Sequence, residues 1–393
     1  MSQQILIAGG GLGGLAAALG AVRAGWQARL FEQAEEFGEV GAGIQLGPNA
    51  MRLLASWGLE AQVQRLAAFP EALVVHSALN GAVLGRMTLG DFIAARYGAP
   101  YATIHRADLH ALVLDAARQA GVGLKLRSRI AAVLPGVGAV ALRIEDGSDV
   151  EGDALIGADG LWSVVRSHVH ADGPPLATGH LAYRALVAQQ ELPAALRQQD
   201  VQVWMGPHMH LVSYPVRAGE QLNVVAIVHG APRGDAMDWD NAAVTTELLA
   251  AMGAVAAPLR DLVQAMPRWR LWTLHDRPPM TGPDEMVRGR IALLGDAAHP
   301  MRPYLAQGAG MALEDADELR RALAQANGAV RDVPLALRRY ALNRWKRNAR
   351  VQARARRNGR IFHSTGFVRW GRDVSMRLLG ERLLDLPWLY RGG

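Results

Sequence analysis

A short apolar run over residues 4–8 ends in Gly9-Gly10-Gly11-Leu12-Gly13-Gly14, and an alanine- and leucine-rich stretch reaches from there to Arg23. The run has the length of a buried strand and the stretch that of a helix, so the glycines must form a tight strand-to-helix turn. Gly9, Gly11 and Gly14 satisfy the spacing G-x-G-x-x-G. In that spacing the first glycine permits the turn, the second lets backbone approach a pyrophosphate, and the third lets helix and strand pack closely. The helix start then offers unpaired amides and a positive dipole end to phosphate. Residues 28–32 read as a second strand, with Glu32 at its end to accept hydrogen bonds from a ribose diol. A chain that opens this way is expected to build an open α/β sheet that binds a dinucleotide. The fingerprint alone does not separate FAD from NAD.

At 393 residues the chain exceeds what one hydrophobic core usually organises, so two domains are expected. Half of the residues are apolar and a fifth charged, a globular balance. The absence of cysteine excludes disulfides, thiolate metal sites and cysteine nucleophiles together. No basic segment precedes the first apolar stretch, and glycines interrupt it, which fits neither a signal peptide nor a membrane span. A cytoplasmic protein is the expectation. The net charge of +6 is concentrated between residues 331 and 360, where Arg331, Arg338, Arg339, Arg344, Lys346, Arg347, Arg350, Arg354, Arg356, Arg357 and Arg360 face a single acid, Asp332. On a helix these spread over more than one face, which reads as a solvated helical surface and not as a membrane or nucleic-acid stripe.

Helical patterns follow at 49–57, 106–120 and 308–323, and from 335 onward; residues 290–294 read as a buried strand. Residues 73–88 and 181–228 alternate apolar and polar positions in short runs, as strands of an antiparallel sheet do. The expected fold class is therefore α/β: a Rossmann-like nucleotide-binding domain with an inserted β-sheet substrate domain and a helical C-terminal segment. The nucleotide domain is expected in three parts, 1–72, 101–173 and 276–330. The substrate domain is expected in two, 73–100 and 174–275, followed by the helical segment 331–393.

Two later motifs bear on the cofactor. Ile156-Gly157-Ala158-Asp159-Gly160-Leu161-Trp162-Ser163-Val164-Val165-Arg166 resembles the Asp-Gly motif of the group A flavoprotein aromatic hydroxylases, the family of salicylate, 3-hydroxybenzoate and 6-hydroxynicotinate hydroxylases. Arg290-Ile291-Ala292-Leu293-Leu294-Gly295-Asp296-Ala297-Ala298-His299-Pro300 resembles their Gly-Asp motif. The resemblance implies FAD as cofactor, NADH or NADPH as cosubstrate, and hydroxylation of a small aromatic by molecular oxygen through a flavin C4a-hydroperoxide. It implies that Asp296, at a buried strand end, holds the ribityl hydroxyls, and that Asp159, with Arg166 beside it, organises flavin and pyridine nucleotide. Arg106 matches the arginine near the pyrophosphate, and the loop 41–49, with Gln45, matches the flavin-contacting loop. Gly308, Ala309 and Gly310 open a helix whose amides would face the pyrimidine end of the flavin ring and favour its anionic reduced form.

For catalysis, His210 and Tyr214 lie on one face of the strand read at 209–215. Hydroxylation needs an electron-rich ring, and an imidazole that removes a phenolic proton makes one. The two positions resemble the histidine and tyrosine of the 6-hydroxynicotinate hydroxylase pattern. His208 shares their parity nearer the strand end, and His299 reads as structural. Pro303 and Tyr304 fall in the stretch that the family places beside its substrate. Some 3-hydroxybenzoate hydroxylases carry glutamine where Pro303 stands, which weakens transfer of that substrate. Arg184 and Arg302 are candidates to bind a substrate carboxylate, since arginine matches it bidentately. The expected function is hydroxylation of a hydroxylated aromatic acid or N-heterocycle, with no metal and no nucleic-acid partner; a homodimer is compatible with it. Two alternatives stand beside this reading. One is a quinone-biosynthesis hydroxylase or membrane-associated flavin-binding partner that uses the basic tail. The other is a plain NAD-dependent dehydrogenase, which would leave the second and third motifs without a purpose.

Overall fold

The computed structural model describes residues 3–38, 43–235, 237, 241–325 and 332–392; Gly41, Ala42 and Arg331 lie outside them. A six-stranded sheet runs in the order β18 (Val287–Arg288), β19 (Ile291–Leu293), β11 (Ala154–Gly157), β1 (Gln4–Ala8), β2 (Gln27–Phe31), β7 (Gly123–Lys125). All its pairs are parallel except β18 with β19. Both of its faces are covered, so Ile5, Leu6, Ile7, Leu155 and Ile156 have no exposure. Ala8 pairs with Gly157 and Gly157 with Leu293, so the three motifs leave the sheet side by side at its C-terminal edge. Open α/β sheets bind ligands at that edge.

Helix α1 (Leu12–Arg23) starts three residues earlier than the sequence pattern suggests, because the glycines themselves are helical from Gly13 onward. α2 (Pro48–Ser56), α3 (Glu60–Leu66), α4 (Gly90–Tyr97) and α5 (Arg106–Gln119) follow, with the short α6 (Arg166–Val169) after the second motif. β3 (Gly43–Leu46) and β6 (Ala102–His105) form a two-stranded ribbon, and β8 (Ile130–Pro135), β9 (Val140–Ile144) and β10 (Asp149–Gly152) a small separate sheet.

The second large sheet has eight strands, ordered β16 (Asn241–Ala243), β17 (Trp269–Asp276), β12 (Leu176–Ala188), β15 (Gln221–His229), β14 (Met209–Val216), β13 (Val201–Gly206), β4 (Ala72–Ser77), β5 (Val83–Thr88). Its pairs are antiparallel except β13 with β4. One face carries Tyr183, Leu211, Leu222 and Val224, buried with α7 (Thr245–Met252) and α8 (Ala257–Gln264). The register places His180, Arg184, His210, Tyr214, Asn223 and His229 on the opposite face. The ribbon is fastened to the eight-stranded sheet, for Thr103 Oγ1 donates to Pro215 O at 2.5 Å and Gly43 N to Asn223 Oδ1 at 2.9 Å.

The remaining helices among the described residues are α9 (Gly308–Gln325), α10 (Val333–Phe362), α11 (Gly366–Leu379) and the short α12 (Glu381–Leu384) and α13 (Pro387–Tyr390). α9 approaches α1 so closely that a Cβ on Gly20 would sit 3.0 Å from Ala316 O. α10 corrects in part the reading of the basic run as a solvated surface: Arg339, Lys346, Arg350, Arg357 and Arg360 are exposed, but others turn inward. Arg344 is buried and donates to Asp315 Oδ1 at 2.7 Å and Glu314 Oε2 at 2.8 Å, while Arg347 donates to the same Glu314 oxygen at 2.5 Å. Arg356 pairs with Asp276 at 3.0 Å. The physical reason is that α9 presents two buried carboxylates, and the inner side of α10 neutralises them. Among the described residues, no helix is long and apolar enough to cross a membrane.

Candidate active site

At the first turn Gly9 has φ +101°, and a Cβ there would lie 2.4 Å from Ala158 O; at Gly14 it would lie 2.0 Å from Gly9 O. Only glycine allows these approaches. α1 begins behind Gly11, with no side-chain cap and no acid in its own first turn, which leaves its first amides open to a phosphate. The Glu32 carboxylate folds over the turn, accepting from Gly10 N at 2.6 Å and Ala34 N at 2.8 Å. A ring nitrogen of His110 bonds Gly10 O at 2.8 Å, and half-buried Arg106, one turn earlier on α5, opens that helix on the same side.

Asp159 is tied into its own turn, accepting from Ser163 Oγ at 2.5 Å, Val164 N at 2.8 Å and Val165 N at 3.2 Å, while burial raises its pKa. Buried Arg166 donates to Ala297 O at 2.9 Å and Ala298 O at 2.7 Å and pairs with Asp172 at 2.8 Å, which staples the second motif to the third. Asp296 is exposed, contrary to the buried position expected for it. Gly295 turns at φ +61° into a single 3-10 turn that leaves this carboxylate at the mouth of the cleft. His299 is fully buried and bonded to Asp315, whose carboxyl is held well below its usual range by His299 and Arg344 against the opposing effect of burial. At the start of α9 a Cβ on Gly308 would meet nothing within 4 Å, whereas at Gly310 it would lie 2.9 Å from Gln307 Oε1. Half-buried Ala309 lies between them, and the first turn carries no acid. The residues fit FAD: two acid-free helix starts, one glycine cradle closed to side chains and one open, and acids at the strand ends.

On the other side of the cleft, Tyr214 donates its hydroxyl to Gly43 O at 2.7 Å, and burial pushes its pKa well above the usual phenol range. Tyr101 donates to Gln45 Oε1 at 2.5 Å. His210 is buried, and that burial lowers its pKa to about 3; its Nδ1 shares a hydrogen bond of 2.7 Å with His363 Nε2. Half-buried Arg184 lies 3.9 Å over the Trp272 ring and is close enough to Tyr214 to oppose the rise in its pKa. Arg302 donates to Asp276 Oδ2 at 2.6 Å, a carboxylate it shares with Arg356. Pro303 is exposed at the rim, and buried Tyr304 donates its hydroxyl to His180 Nδ1. The geometry thus brings His210, Tyr214, Arg184 and Tyr304 to one wall and leaves Arg302 in an ion pair beside it. Tyr101, His180, Asn223, His229 and His363 went unread in the sequence. They come from four segments, and the available signal was parity, which aligns His180 with Arg184 and Asn223 with His229.

Over residues 2–357 the chain matches the family described as FAD binding domain. It is 39% identical over 390 residues to the 3-hydroxybenzoate 6-hydroxylase of Polaromonas naphthalenivorans (strain CJ2), covering 98% of this chain and 95% of that one. It is 36% identical over 371 residues to the 6-hydroxynicotinate 3-monooxygenase of Bordetella bronchiseptica, covering 93% and 92%. Among solved structures it is similar to Klebsiella pneumoniae HpxO complexed with FAD and uric acid, with TM-score 0.85, 25% identity and coverage of 97% and 94%. A salicylate hydroxylase substrate complex gives TM-score 0.83, 26% identity and coverage of 99% and 95%. Three motifs converge on one sheet edge, and relatives match the chain along nearly its whole length: it belongs to the FAD binding domain family, among the flavin-dependent aromatic hydroxylases.

Proposed function

We propose that this enzyme uses NADH or NADPH and dioxygen to hydroxylate a small aromatic acid or N-heterocycle that already bears a ring hydroxyl, with His210 as the base. The observation that carries the reading is the shared wall of His210, Tyr214 and Arg184 on the face of the eight-stranded sheet. The relatives are named for 3-hydroxybenzoate and 6-hydroxynicotinate, each a hydroxylated ring with a carboxylate. Arg184, on the same sheet face as His210 and Tyr214, supplies the cation for that carboxylate, with Arg302, paired with Asp276, beside it. Pro303 and Tyr304 would border the ring.

Bound FAD would take the hydride and activate dioxygen. Gly9, Gly11, Gly14, Glu32 and Arg106 would hold its adenosine and pyrophosphate side, and Gln45, Asp159, Asp296 and the Gly308–Gly310 amides its flavin side. His210 stays unprotonated at neutral pH, which leaves a ring nitrogen with a lone pair for the phenolic proton, but burial makes it a weak base that holds a proton only in passing. Tyr214 keeps its own proton and orients the substrate, because its pKa lies too high for a base. The reading goes with a cytoplasmic enzyme, and a homodimer is compatible with it.

The test is a screen of 3-hydroxybenzoate, 6-hydroxynicotinate and salicylate for stimulated NADH or NADPH oxidation, with the product identified under labelled oxygen gas. Label from the gas is expected in the product, with chelators without effect. Label from water overturns the reading. His210→Ala is expected to retain flavin and lose roughly 100-fold in hydroxylation, the scale of losing a general base.

A further inference from the structure

Three imidazoles join end to end behind the substrate face. His210 Nδ1 shares a hydrogen bond of 2.7 Å with His363 Nε2, and His363 Nδ1 shares one of 3.0 Å with His229 Nε2. His210 and His363 are 2% and 4% exposed, whereas His229 is exposed to solvent. A neutral imidazole carries one donor and one acceptor. With both His363 nitrogens engaged by imidazoles, three neutral rings satisfy one another only if every N–H points the same way. The chain therefore has a direction, a dry end and a wet end.

The backbone fixes the middle ring. His363 caps α10, its N donating to Gly359 O at 3.2 Å and its O accepting from His208 N at 3.1 Å; His229 N in turn donates to His208 O at 3.0 Å. Buried Arg372 of α11 donates to Phe362 O at 2.6 Å and secures the helix end. His180 stacks on His229 with ring centroids 4.5 Å apart and receives the Tyr304 hydroxyl.

We propose that His210, His363 and His229 form a proton relay that carries the ring-hydroxyl proton of the substrate from the pocket wall to solvent. The proposal rests on His210 as the base. The hydroxyl proton passes to His210 Nε2 as the O–H bond breaks. His210 Nδ1 then gives its proton to His363 Nε2, His363 Nδ1 gives its proton to His229 Nε2, and His229 Nδ1 releases one to water. The products are a bound phenolate, a hydronium ion and three neutral rings in the opposite tautomer, so no charge is stored inside. Storage is what the surroundings oppose. Burial depresses His210 to about 3 and His363 further, and the neighbouring His180 and His208 disfavour charge on His363 as well. The other groups facing the chain are Tyr304, kept protonated, and the Asp276–Arg302–Arg356 cluster beyond His180. A base that cannot keep a proton must pass it on, and a relay does so without admitting water to the pocket.

Nitrogens of His180, His229 and His363 lie within 4.8 Å of one another, close enough to suggest a cation. The His180 and His229 rings, however, are stacked only 17° from parallel, whereas a ligated cation must lie in the plane of each ring.

The test is turnover of the flavin-loaded enzyme with 3-hydroxybenzoate as probe, with product and hydrogen peroxide measured separately, joined to ¹⁵N NMR of labelled histidines in the free enzyme. His363→Gln retains an amide that can bond His210 but cannot shuttle. It is expected to keep flavin content, Tm and the rate of flavin reduction, to lower product roughly tenfold or more with a matching rise in peroxide, and to recover when imidazole is added. A folded, flavin-loaded His363→Gln enzyme with the wild-type product-to-peroxide ratio overturns the relay. If His210→Ala alone lowers that ratio, the base stands and the relay falls; if neither variant does, the base assignment fails first. The NMR arm decides even where the probe is not turned over. Neutral rings with strongly hydrogen-bonded N–H protons on His210 and His363 support the chain. Charged rings, or one Zn²⁺ per chain that is lost in His229→Gln, overturn it.

Discussion

A methyl group at position 14 would meet the Gly9 carbonyl oxygen at 2.0 Å, and neither atom can yield without moving the strand or the helix. Gly14→Ala is therefore expected to purify without flavin and with a lower Tm, read by absorbance and thermal melting. Asp296 behaves differently because it is exposed, so its removal opens no cavity. Asp296→Ala should weaken FAD binding by roughly tenfold, about the worth of one hydrogen bond to a charged acceptor, while the apoprotein melts as wild type does; a lowered apoprotein Tm would contradict that placement. The buried histidines set a pH dependence. Burial lowers His180 to about 4 and His210 to about 3, whereas unfolded histidine titrates near 6.5. The unfolded chain therefore binds more protons below that pH, and stability falls as pH drops from about 6.5 towards 4, by up to about 1.4 kcal/mol per pH unit for each such histidine. Melting from pH 7.5 to 4.5 checks this, and His210→Phe should flatten the slope. The glycine roles and the shared face of His210 and Tyr214 were legible because spacing alone fixes them. His363 was not, because its partners lie more than 130 residues away in the chain.

Among the elements, β1, β2, α1 and β14 could be read closely, since each has its own period and its own turn residues. α10 shows where such reading fails. Its helical period was plain, but which arginines turn inward depends on Glu314 and Asp315 of α9, and those acids sit in a segment that reads as an ordinary amphipathic helix. Arg344→Leu leaves Asp315 and Glu314 buried with reduced compensation. The expected cost is about 3–5 kcal/mol, the usual result of removing one member of a buried ion pair, seen as a lower denaturant midpoint. Arg338, half-buried on the same helix and paired with exposed Asp284, should cost less than about 1 kcal/mol when changed to alanine. Equal effects from the two changes would show that α10 does not depend on its inward charges.

For the whole molecule, the cofactor cleft draws on segments from Gly9 to Gly310, so binding should stabilise the chain as a unit. FAD at 100 times its dissociation constant should add about 2.7 kcal/mol and raise Tm in a single transition. The pairing that completes the eight-stranded sheet sets the order in which the chain can assemble. β4 lies parallel to β13, with Leu73 beside Val201, so the β4–β5 hairpin has no inner neighbour until more than a hundred further residues have left the ribosome. β1 waits similarly for β11, Ile5 pairing with Ala154. Such distant pairings fold slowly, and a nascent chain that stops short of β13 carries Leu73, Val74 and Val75 on an open strand edge, a template for aggregation. Synthesis of this enzyme is thus most exposed to chaperone dependence in its first half, before any of its chemistry exists.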